Sequence, residues 1–338
     1  MSGSLPREFV ELLTMVRGYQ RSRAVTVAAE LGIADLLSDG PRGVDELAAE
    51  TSTDAASLYR LLRALAAEGV FTEHPDRRFA LSPVGDFLRR DHPLSLDPAA
   101  RMFGADYQWQ SWGALRHSVE TGGNAAVHAL GTDVWEYRRR HPEHGEVFDA
   151  TMRTLSAGDS PGLLAAHDFG RHRLVADVGG GTGAVLAAVL AAHDHVRGIL
   201  FDQPHVVAHA DAVLRDAGVA DRVTAVPGDF FDGVPGGADA YLLVRVLHDW
   251  ADADAVRILR NVRAAMTHDA VLLIVDSVVG PPNEDPLAKF LDLMMLVSAG
   301  GRERTEEEWR SLLADGGLEF VEARRATPTR HVIDARPG

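Results

Sequence analysis

The chain has 338 residues, a formal net charge of −15, and a hydrophobic fraction of 46%. Such an acidic chain is a poor partner for nucleic acid or an anionic membrane, because both attract basic surfaces. It has no cysteine, which excludes disulfides and thiolate metal sites, and no apolar run long enough to span a bilayer. The N-terminus lacks a signal-peptide pattern, so we expect a cytoplasmic protein.

The N-terminal part predicts helices followed by a small hairpin. Apolar spacing indicates helix over residues 8–37, and the next segment predicts helix, turn, helix and a hairpin around Pro75 and Asp76. Asp54 is placed to cap the second of these helices. This order is typical of a winged helix-turn-helix. Residues 44–90 carry eight acids and six bases, so we expect packing or dimerisation and not DNA binding.

Residues 96–165 are predicted to be mostly helical, and they are rich in aromatic side chains that include Trp109 and Trp112. Aromatic residues at such positions usually belong to a core. Beside a cofactor domain they also suit the wall of a pocket for an aromatic substrate. Both interpretations stay open at this point.

From Arg173 onward the chain alternates strands and helices, which predicts a parallel sheet covered on both faces. The end of the chain differs. The stretch TEEEWRSLLADGG begins a helix with a capping box between Thr305 and Glu308, and a terminal hairpin follows. We therefore expect seven strands, the last one antiparallel. The predicted strands are Leu174–Val178, Arg197–Phe201, Val223–Val226, Tyr241–Leu247 and Ala270–Ser277, with helices at Pro204–Ala217 and Asp254–Met266.

The stretch LVADVGGGTGAVL predicts a strand, a glycine turn and a helix that bind a nucleotide. Gly179, Gly181 and Ala184 fit the dinucleotide fingerprint, which is weak by itself. The same stretch contains Asp177 before three alternating glycines that end at Gly183. The absence of a G-K-[ST] triplet excludes a phosphate-binding P-loop.

The acids that follow the next strands favour one nucleotide over another. Asp202 is placed to accept both ribose hydroxyls, and Asp229 beside Phe230 suits an adenine held by its amino group and stacked on a ring. Asp177 would repel a pyrophosphate. An electronegative rim of three acids suits a cationic nucleoside, so we expect S-adenosylmethionine in preference to NAD(P).

Five motifs in order carry a family resemblance: VADVGGGTG, FDQPHVV, GDFFDGVPGGADAYLLVRVLHDWADADAVRILRNVRAAM, FLDLMML and GGRERTEEEW. Together they resemble the plant caffeate-type and bacterial antibiotic-type O-methyltransferases over nearly the whole chain. The resemblance implies an α/β fold with a seven-stranded Rossmann-like methyltransferase domain over residues 166–338. It also implies an all-helical winged-helix dimerisation domain over residues 1–95, a helical substrate-pocket segment over 96–165, and a homodimer.

Methyl transfer to oxygen needs an aligned acceptor and a base that removes its proton. His248, at the end of YLLVRVLHDW, is expected to be that base, because its ordinary pKa lies near neutrality. In the resembling family two acids flank this histidine, and they correspond to Asp276 and Glu303. Asp276 departs from the glutamate commonly found there, so its shorter side chain puts its contact with His248 in doubt.

Further site residues are expected, among them Arg245, which matches a position whose backbone contacts the cofactor in the resembling family. The cofactor set gains Gln203, Gly228, Arg245 and Met152, and the substrate set consists of Trp109, Trp112, Met294, Met295 and Asp249. For Asp249 and Asp252, the first interpretation is helix capping. For Met294 and Met295, the first interpretation is a position in the core. The histidine pairs in HVVAH and HPEHGE lack a third ligand nearby, so we predict no metal.

The sequence therefore predicts an S-adenosylmethionine-dependent O-methyltransferase that releases S-adenosylhomocysteine. A hydroxyl of an aromatic natural-product intermediate, such as an antibiotic or polyketide precursor, is the expected acceptor. Three alternatives are a relative that binds the same cofactor for another reaction, an NAD(P)-dependent oxidoreductase, and a winged-helix regulator.

Overall fold

A computed structural model describes residues 5–338 of the chain. Its α-helices are α1 (Arg7–Val16), α2 (Gly18–Glu30), α3 (Ile33–Leu36), α4 (Val44–Thr51), α5 (Ala55–Ala67), α6 (Asp97–Gly104), α7 (Asp106–Gly113), α8 (Leu115–Thr121), α9 (Ala125–Leu130), α10 (Val134–Arg140), α11 (Pro142–Ala166), α12 (Ala184–Ala192), α13 (Pro204–Val207), α14 (Ala210–Asp216), α15 (Asp252–Ala265), α16 (Pro286–Val297) and α17 (Glu306–Asp315). Its strands are β1 (Arg42–Gly43), β2 (Phe71–His74), β3 (Arg78–Leu81), β4 (Leu174–Val178), β5 (Arg197–Asp202), β6 (Val223–Pro227), β7 (Ala240–Val244), β8 (Val271–Asp276), β9 (Leu318–Arg325) and β10 (His331–Pro337).

These elements form two compact units. The first comprises Met1–Trp109 and Glu143–Thr154, and the second comprises Gln110–Pro142 and Leu155–Gly338. The boundaries predicted from the sequence, at 95 and 165, stay a prediction. None of the helices in the described part of the chain is both long and apolar enough to cross a bilayer.

The first unit has the winged-helix arrangement that the sequence predicts. The side chain of Asp54 accepts a hydrogen bond from the Ser57 amide at the start of α5, as a helix cap should. Strands β2 and β3 form the predicted hairpin, and β1 pairs with β3. The prediction of an all-helical first domain is therefore incomplete, because the hairpin and β1 form a three-stranded sheet. The predicted helix over 8–37 is divided into α1, α2 and α3.

The second unit contains a seven-stranded sheet in the order β6-β5-β4-β7-β8-β10-β9. The pairings from β6 to β8 are parallel, and β10 runs antiparallel to both of its neighbours. The predicted sheet with its terminal hairpin is confirmed. Two buried apolar clusters, one around Leu243 and Trp309 and one around Leu200 and Val189, cover the sheet. All five parallel strands deliver their carboxyl ends to one edge.

Two further predicted elements, both in the second unit, differ from the structure. The strand predicted to run to Leu247 ends at Val244, because Arg245 takes a left-handed backbone conformation with φ of 57°. The helix predicted over 204–217 is divided into α13 and α14. The capping box at α17 is confirmed, with the Thr305 hydroxyl accepting from the Glu308 amide and the Glu308 carboxylate accepting from the Thr305 amide.

Candidate active site

The loop between β4 and α12 is built from glycines with a left-handed backbone. Gly179, Gly181 and Gly183 have φ values of 70°, 61° and 83°, which other residues adopt at a cost. At Gly179 a Cβ would also lie 2.8 Å from a methyl carbon of Val246. The loop therefore needs these glycines for its shape. Because they have no side chains, the loop places backbone groups directly at the carboxyl edge of the sheet.

Asp177 lies at the end of β4, fully buried under this loop. Neither of its carboxylate oxygens has a hydrogen-bond partner within the described part of the chain. Burial, with a further contribution from the charge of Asp202, raises the pKa of Asp177 to about 7. A buried acid without a partner is costly, so this carboxylate is suited to a cation or a hydrogen-bond donor that a ligand supplies.

Asp202 ends β5 and contacts the glycine loop directly. Its two oxygens accept hydrogen bonds from the amides of Gly181 at 2.8 Å and Gln203 at 2.7 Å. Burial raises its pKa, and the two amide hydrogen bonds oppose that rise. At Gly228, after β6, a Cβ would lie 2.4 Å from the Phe201 ring. The ends of β4, β5 and β6 are thus held together by close packing.

Aromatic rings gather beside these strand ends. Phe230 and Phe231 each meet Trp250 edge to face, with ring centroids 5.9 and 4.7 Å apart. Trp135 from α10 stacks parallel to Trp250 at 6.4 Å. Asp229 accepts a hydrogen bond from the Phe231 amide, which orients the turn. The arrangement offers ring faces at the position where the sequence predicts an adenine.

Arg245 follows β7 with its left-handed backbone, and its buried side chain pairs with Asp159 of α11. Burial lowers the pKa of the guanidinium, and the ion pair with Asp159 opposes that change. A strained backbone at a strand end is typical of functional sites. The chain leaves the strand here and turns toward His248.

His248 lies in a short 3₁₀ turn, Leu247–Asp249, with a side chain that is 6% exposed. Its Nδ1 lies 2.7 Å from Glu303 Oε1 and 3.5 Å from Asp276 Oδ1. The structure therefore brings together the three residues predicted to be catalytic, and the shorter Asp276 does come within ion-pair distance. A proton on Nδ1 is favoured by the two carboxylates, which leaves Nε2 as the basic nitrogen of the neutral ring.

The protonation of His248 is set by opposing effects. Burial by itself would lower its pKa, but the charges of Asp276 and Glu303, with that of Asp249, outweigh burial and raise the pKa to about 9. Burial raises the pKa of Asp276 to about 6, and the nearby imidazolium opposes that rise. The carboxylates around His248 thus favour the imidazolium over the neutral ring.

Asp249 lies on the Nε2 side of His248, with its Oδ1 3.8 Å from that nitrogen. Burial raises the pKa of Asp249. The capping role considered for Asp249 and Asp252 is wrong, since the N-cap of α15 is Ala251 and no side chain caps it. Asp252 instead pairs with the buried Arg304 at 2.8 Å.

The remaining predicted residues are distributed over both units. Met294 and Met295 lie on α16, where Met295 is buried and Met294 is half-buried. Trp112 belongs to the second unit, whereas Trp109 and Met152 belong to the first. Their roles in binding stay predictions.

The sequence reasoning missed three residues around His248. A Cβ at Gly301 would lie 2.1 Å from the carbonyl oxygen of His248, so only a glycine fits against the turn that carries His248. Asp292 accepts a hydrogen bond from the Glu303 amide. Arg330 contacts Glu303 from the turn between β9 and β10. The doubled glycine in GGRERT was a usable signal for the first, but nothing in the sequence marks the other two.

The family model for the O-methyltransferase domain matches residues 112–319, and the model for the O-methyltransferase dimerisation domain matches residues 13–91. The chain belongs to the O-methyltransferase family. It is an S-adenosylmethionine-dependent O-methyltransferase, as the motifs predict.

Individual relatives agree with this assignment. A phenazine O-methyltransferase of Lysobacter antibioticus is 40% identical over 99% of this chain and 98% of its own. The crystal structure of LaPhzM superposes with a TM-score of 0.95, at 40% identity, over 99% of this chain and 100% of that one. The O-methyltransferase NcsB1 of neocarzinostatin biosynthesis, solved with S-adenosylmethionine and 2-hydroxy-5-methyl naphthoic acid, has a TM-score of 0.80 at 33% identity, over 94% of this chain and 96% of that one.

Proposed function

We propose that this enzyme methylates a hydroxyl of an aromatic natural-product intermediate, with His248 as the general base and without a metal ion. The observation that carries the proposal is the His248 ring, held on its Nδ1 side by Glu303 and Asp276 at 2.7 and 3.5 Å. A ring fixed in this way presents Nε2 as the proton acceptor. The naphthoic acid bound by the relative NcsB1 supports an aromatic acceptor.

The residues of the rim fit the donor that the family uses. When bound, S-adenosylmethionine supplies a methyl carbon activated by a sulfonium. Asp177 offers an unpartnered buried carboxylate to a cationic group, and Asp202 is placed to accept ribose hydroxyls. We propose that Gln203, Gly228, Asp229, Phe230 and the backbone of Arg245 complete this subsite, with Met152 beside the methionine moiety.

The residues of the chain have two tasks in the reaction. The acceptor hydroxyl is to be held in line with the methyl carbon, for which we propose Asp249, Trp109, Trp112, Met294 and Met295. As the oxygen–carbon bond forms and the carbon–sulfur bond breaks, His248 Nε2 takes the hydroxyl proton. A phenol with a pKa of ~10 suits a base whose pKa is raised to about 9.

A metal at the base is disfavoured by the geometry. His248, Asp276 and Glu303 offer three ligand atoms within 4.8 Å of one another. However, two ligands of one tetrahedral ion lie about 3.4 Å apart, whereas the contact between His248 and Glu303 is a hydrogen bond of 2.7 Å. Arg330 already supplies Glu303 with a cation.

The decisive experiment compares His248→Ala with His268→Ala, an exposed histidine in the turn after α15. We expect His248→Ala to lose turnover of aromatic hydroxy acids by roughly a hundred- to ten-thousand-fold, the usual contribution of a general base. Calorimetry should find unchanged binding of S-adenosylhomocysteine. Full turnover in His248→Ala would rule out the base assignment, and His268→Ala controls for loss of a histidine.

We also propose that the enzyme is a homodimer. Helix α1 has no buried residue, and its apolar side chains Phe9, Leu12, Met15 and Val16 are 52–75% exposed. Helix α1 runs into the region matched by the dimerisation model, which begins at residue 13, and an exposed apolar face of this kind is typical of a protein–protein interface. Light scattering should give twice the chain mass of 36.5 kDa, and a monomeric mass would contradict the proposal.

A further inference from the structure

Arg330 is a buried arginine in the turn between β9 and β10, only 3% exposed. Hydrogen bonds within the turn hold the backbone of Arg330. The Arg330 carbonyl accepts from the Ala326 amide, and the Arg330 amide donates to the Thr327 hydroxyl. Its guanidinium Nη1 donates to Ser277 Oγ at 3.0 Å and lies 3.5 Å from Glu303 Oε1. That same Glu303 oxygen is the one that contacts His248 at 2.7 Å.

Ser277 orients this guanidinium. Its hydroxyl donates to the Thr329 carbonyl at 2.7 Å, which leaves the oxygen lone pairs to accept from Arg330. Ser277 directly follows Asp276, so one short segment supplies both an acid for the imidazole and an anchor for the arginine. The arrangement fixes a full positive charge on the outer side of the carboxylates that surround His248.

The charge around His248 depends on this arginine. The charged groups that face His248 or its direct neighbours are Asp249, Asp276, Glu303, Arg330, Arg138, Arg245 with its partner Asp159, Arg304 with its partner Asp252, and Asp292. Arg245 and Arg304 are already paired with acids of their own. Arg138 acts on Asp249, which lies on the Nε2 side. Arg330 contacts Glu303 on the Nδ1 side and so opposes the charge of the carboxylates there.

We propose that Arg330 is a positioning residue for the base: its guanidinium counters the charge of Glu303 and Asp276 and so lets His248 give up its proton and accept one from the substrate. The proposal rests on His248 being the base.

Electrostatics gives the direction in which loss of Arg330 shifts the pKa of His248. The charge of Arg330 lowers the pKa of Glu303 and opposes the rise in the pKa of Asp276, so both acids are ionised above the range where Asp276 titrates. With both acids ionised, removing a positive charge stabilises the imidazolium and raises the pKa of His248 further. For a buried charge at this range the shift is on the order of one pH unit.

The test is the pH dependence of kcat/KM, which reports the groups of the free enzyme. In the wild type the rate should rise with pH as His248 loses its proton. In Arg330→Met this rise should move to higher pH by about one unit, which lowers the rate at pH 7 by about tenfold. Arg330→Lys retains the charge and should shift far less. Arg336→Met, which removes an exposed arginine of β10 paired with Glu319, should leave the profile in place.

A purely structural arginine predicts another result. Arg330→Met would then lower the rate equally at every pH, and that outcome would overturn the proposal. The double variant Arg330→Met with Asp276→Asn removes one charge of each sign, so its profile should return toward that of the wild type. If Arg330→Met does not fold, the double variant still carries the test by comparison with Asp276→Asn alone. The double variant should titrate about one unit above Asp276→Asn, and equal titration of the two would overturn the proposal.

Failure of the base assignment would look different. An NMR titration of the His248 ring measures its protonation without turnover. If the His248 resonance shifts in Arg330→Met while His248→Ala remains fully active, the base assignment fails and the charge effect stands. If His248→Ala is inactive and neither the resonance nor the rate profile moves in Arg330→Met, the inference about Arg330 fails by itself.

Discussion

Two acidic clusters lie at the same edge of the same sheet, and they differ in what compensates their charge. At the ends of β4 and β5, neither oxygen of Asp177 has a hydrogen-bond partner among residues 5–338, and Asp202 accepts hydrogen bonds from two backbone amides. At the ends of β7 and β8, the acids face an imidazole and a buried guanidinium. The first cluster is suited to a cation that arrives with a ligand, whereas the second holds cations of the chain itself.

The difference indicates how one sheet edge serves two tasks. A carboxylate left unpaired in the free protein destabilises the fold and gains from a cationic ligand. A carboxylate paired with histidine instead tunes a proton acceptor. Changes at the first cluster should therefore alter binding and stability, and changes at the second should alter turnover and its pH dependence.

Among the variants that keep His248, the largest effect is expected from Gly301→Ala, which displaces the turn of the second cluster. A methyl group there would lie 2.1 Å from the His248 carbonyl oxygen and 2.4 Å from the Asp249 carbonyl carbon. The turn must move, and a displacement of about 1 Å costs roughly a hundredfold in rate. Steady-state kinetics check this loss. Gly43→Ala, where a Cβ meets nothing within 4 Å, is the control, and equal rates for the two variants would contradict the close-packing argument.

The next effect is expected from Asp177→Asn at the first cluster. Loss of a charged partner should weaken binding of S-adenosylmethionine by about ten- to a hundredfold, measured by calorimetry. The pKa of this acid is raised in the folded state to about 7, so its ionisation destabilises the fold as pH rises from about 4 to 7. The variant should therefore gain stability relative to the wild type above pH 7 and gain little at pH 4.

Chemical unfolding at pH 5 and pH 8 measures that stability change, with an expected relative gain of roughly 2 kcal/mol between the two values. A variant that binds the cofactor normally would show that Asp177 is not part of the donor subsite. A variant with unchanged pH dependence of stability would show that the acid is not buried and unpaired as described.

A smaller effect is expected from Asp276→Asn, which removes one negative charge beside His248. The imidazolium then loses a stabilising neighbour, so its pKa falls and the rise of kcat/KM moves to lower pH by about one unit. This is opposite in sign to the shift expected for Arg330→Met. Glu303→Gln should act in the same direction as Asp276→Asn and also lower the maximal rate, because Glu303 makes the 2.7 Å contact that orients the ring. A shift of either variant to higher pH would refute this account.

The smallest effect is expected from metal removal. Since His248 and Arg330 are the cations of the second cluster, dialysis against EDTA should leave kcat and KM unchanged. Activity that disappears on dialysis and returns with Mg²⁺ would assign a metal to His248, Asp276 and Glu303 and would require a different chemistry for the second cluster.

The sequence by itself determined the elements that local chemistry encodes. Alternating glycines after a buried strand, a capping box, and acids at successive strand ends each depend on neighbours along the chain, so the glycine loop, α17 and the rim were predictable. Likewise, the end of the strand before His248 could be predicted to lie near those acids, because parallel strands deliver their carboxyl ends to one edge.

Only the tertiary structure decided which charges meet at His248. The sheet order places β10 beside β8, and so the turn before β10 brings Arg330 next to Ser277 and Glu303. The left-handed Arg245, the exit from the strand at Val244 and the contact of Gly301 with the His248 carbonyl likewise depend on packing between distant segments. Charge compensation acts through space and depends on burial, whereas a sequence motif records only spacing along the chain. The sequence could therefore locate the second cluster, but it could not predict which cations compensate its acids.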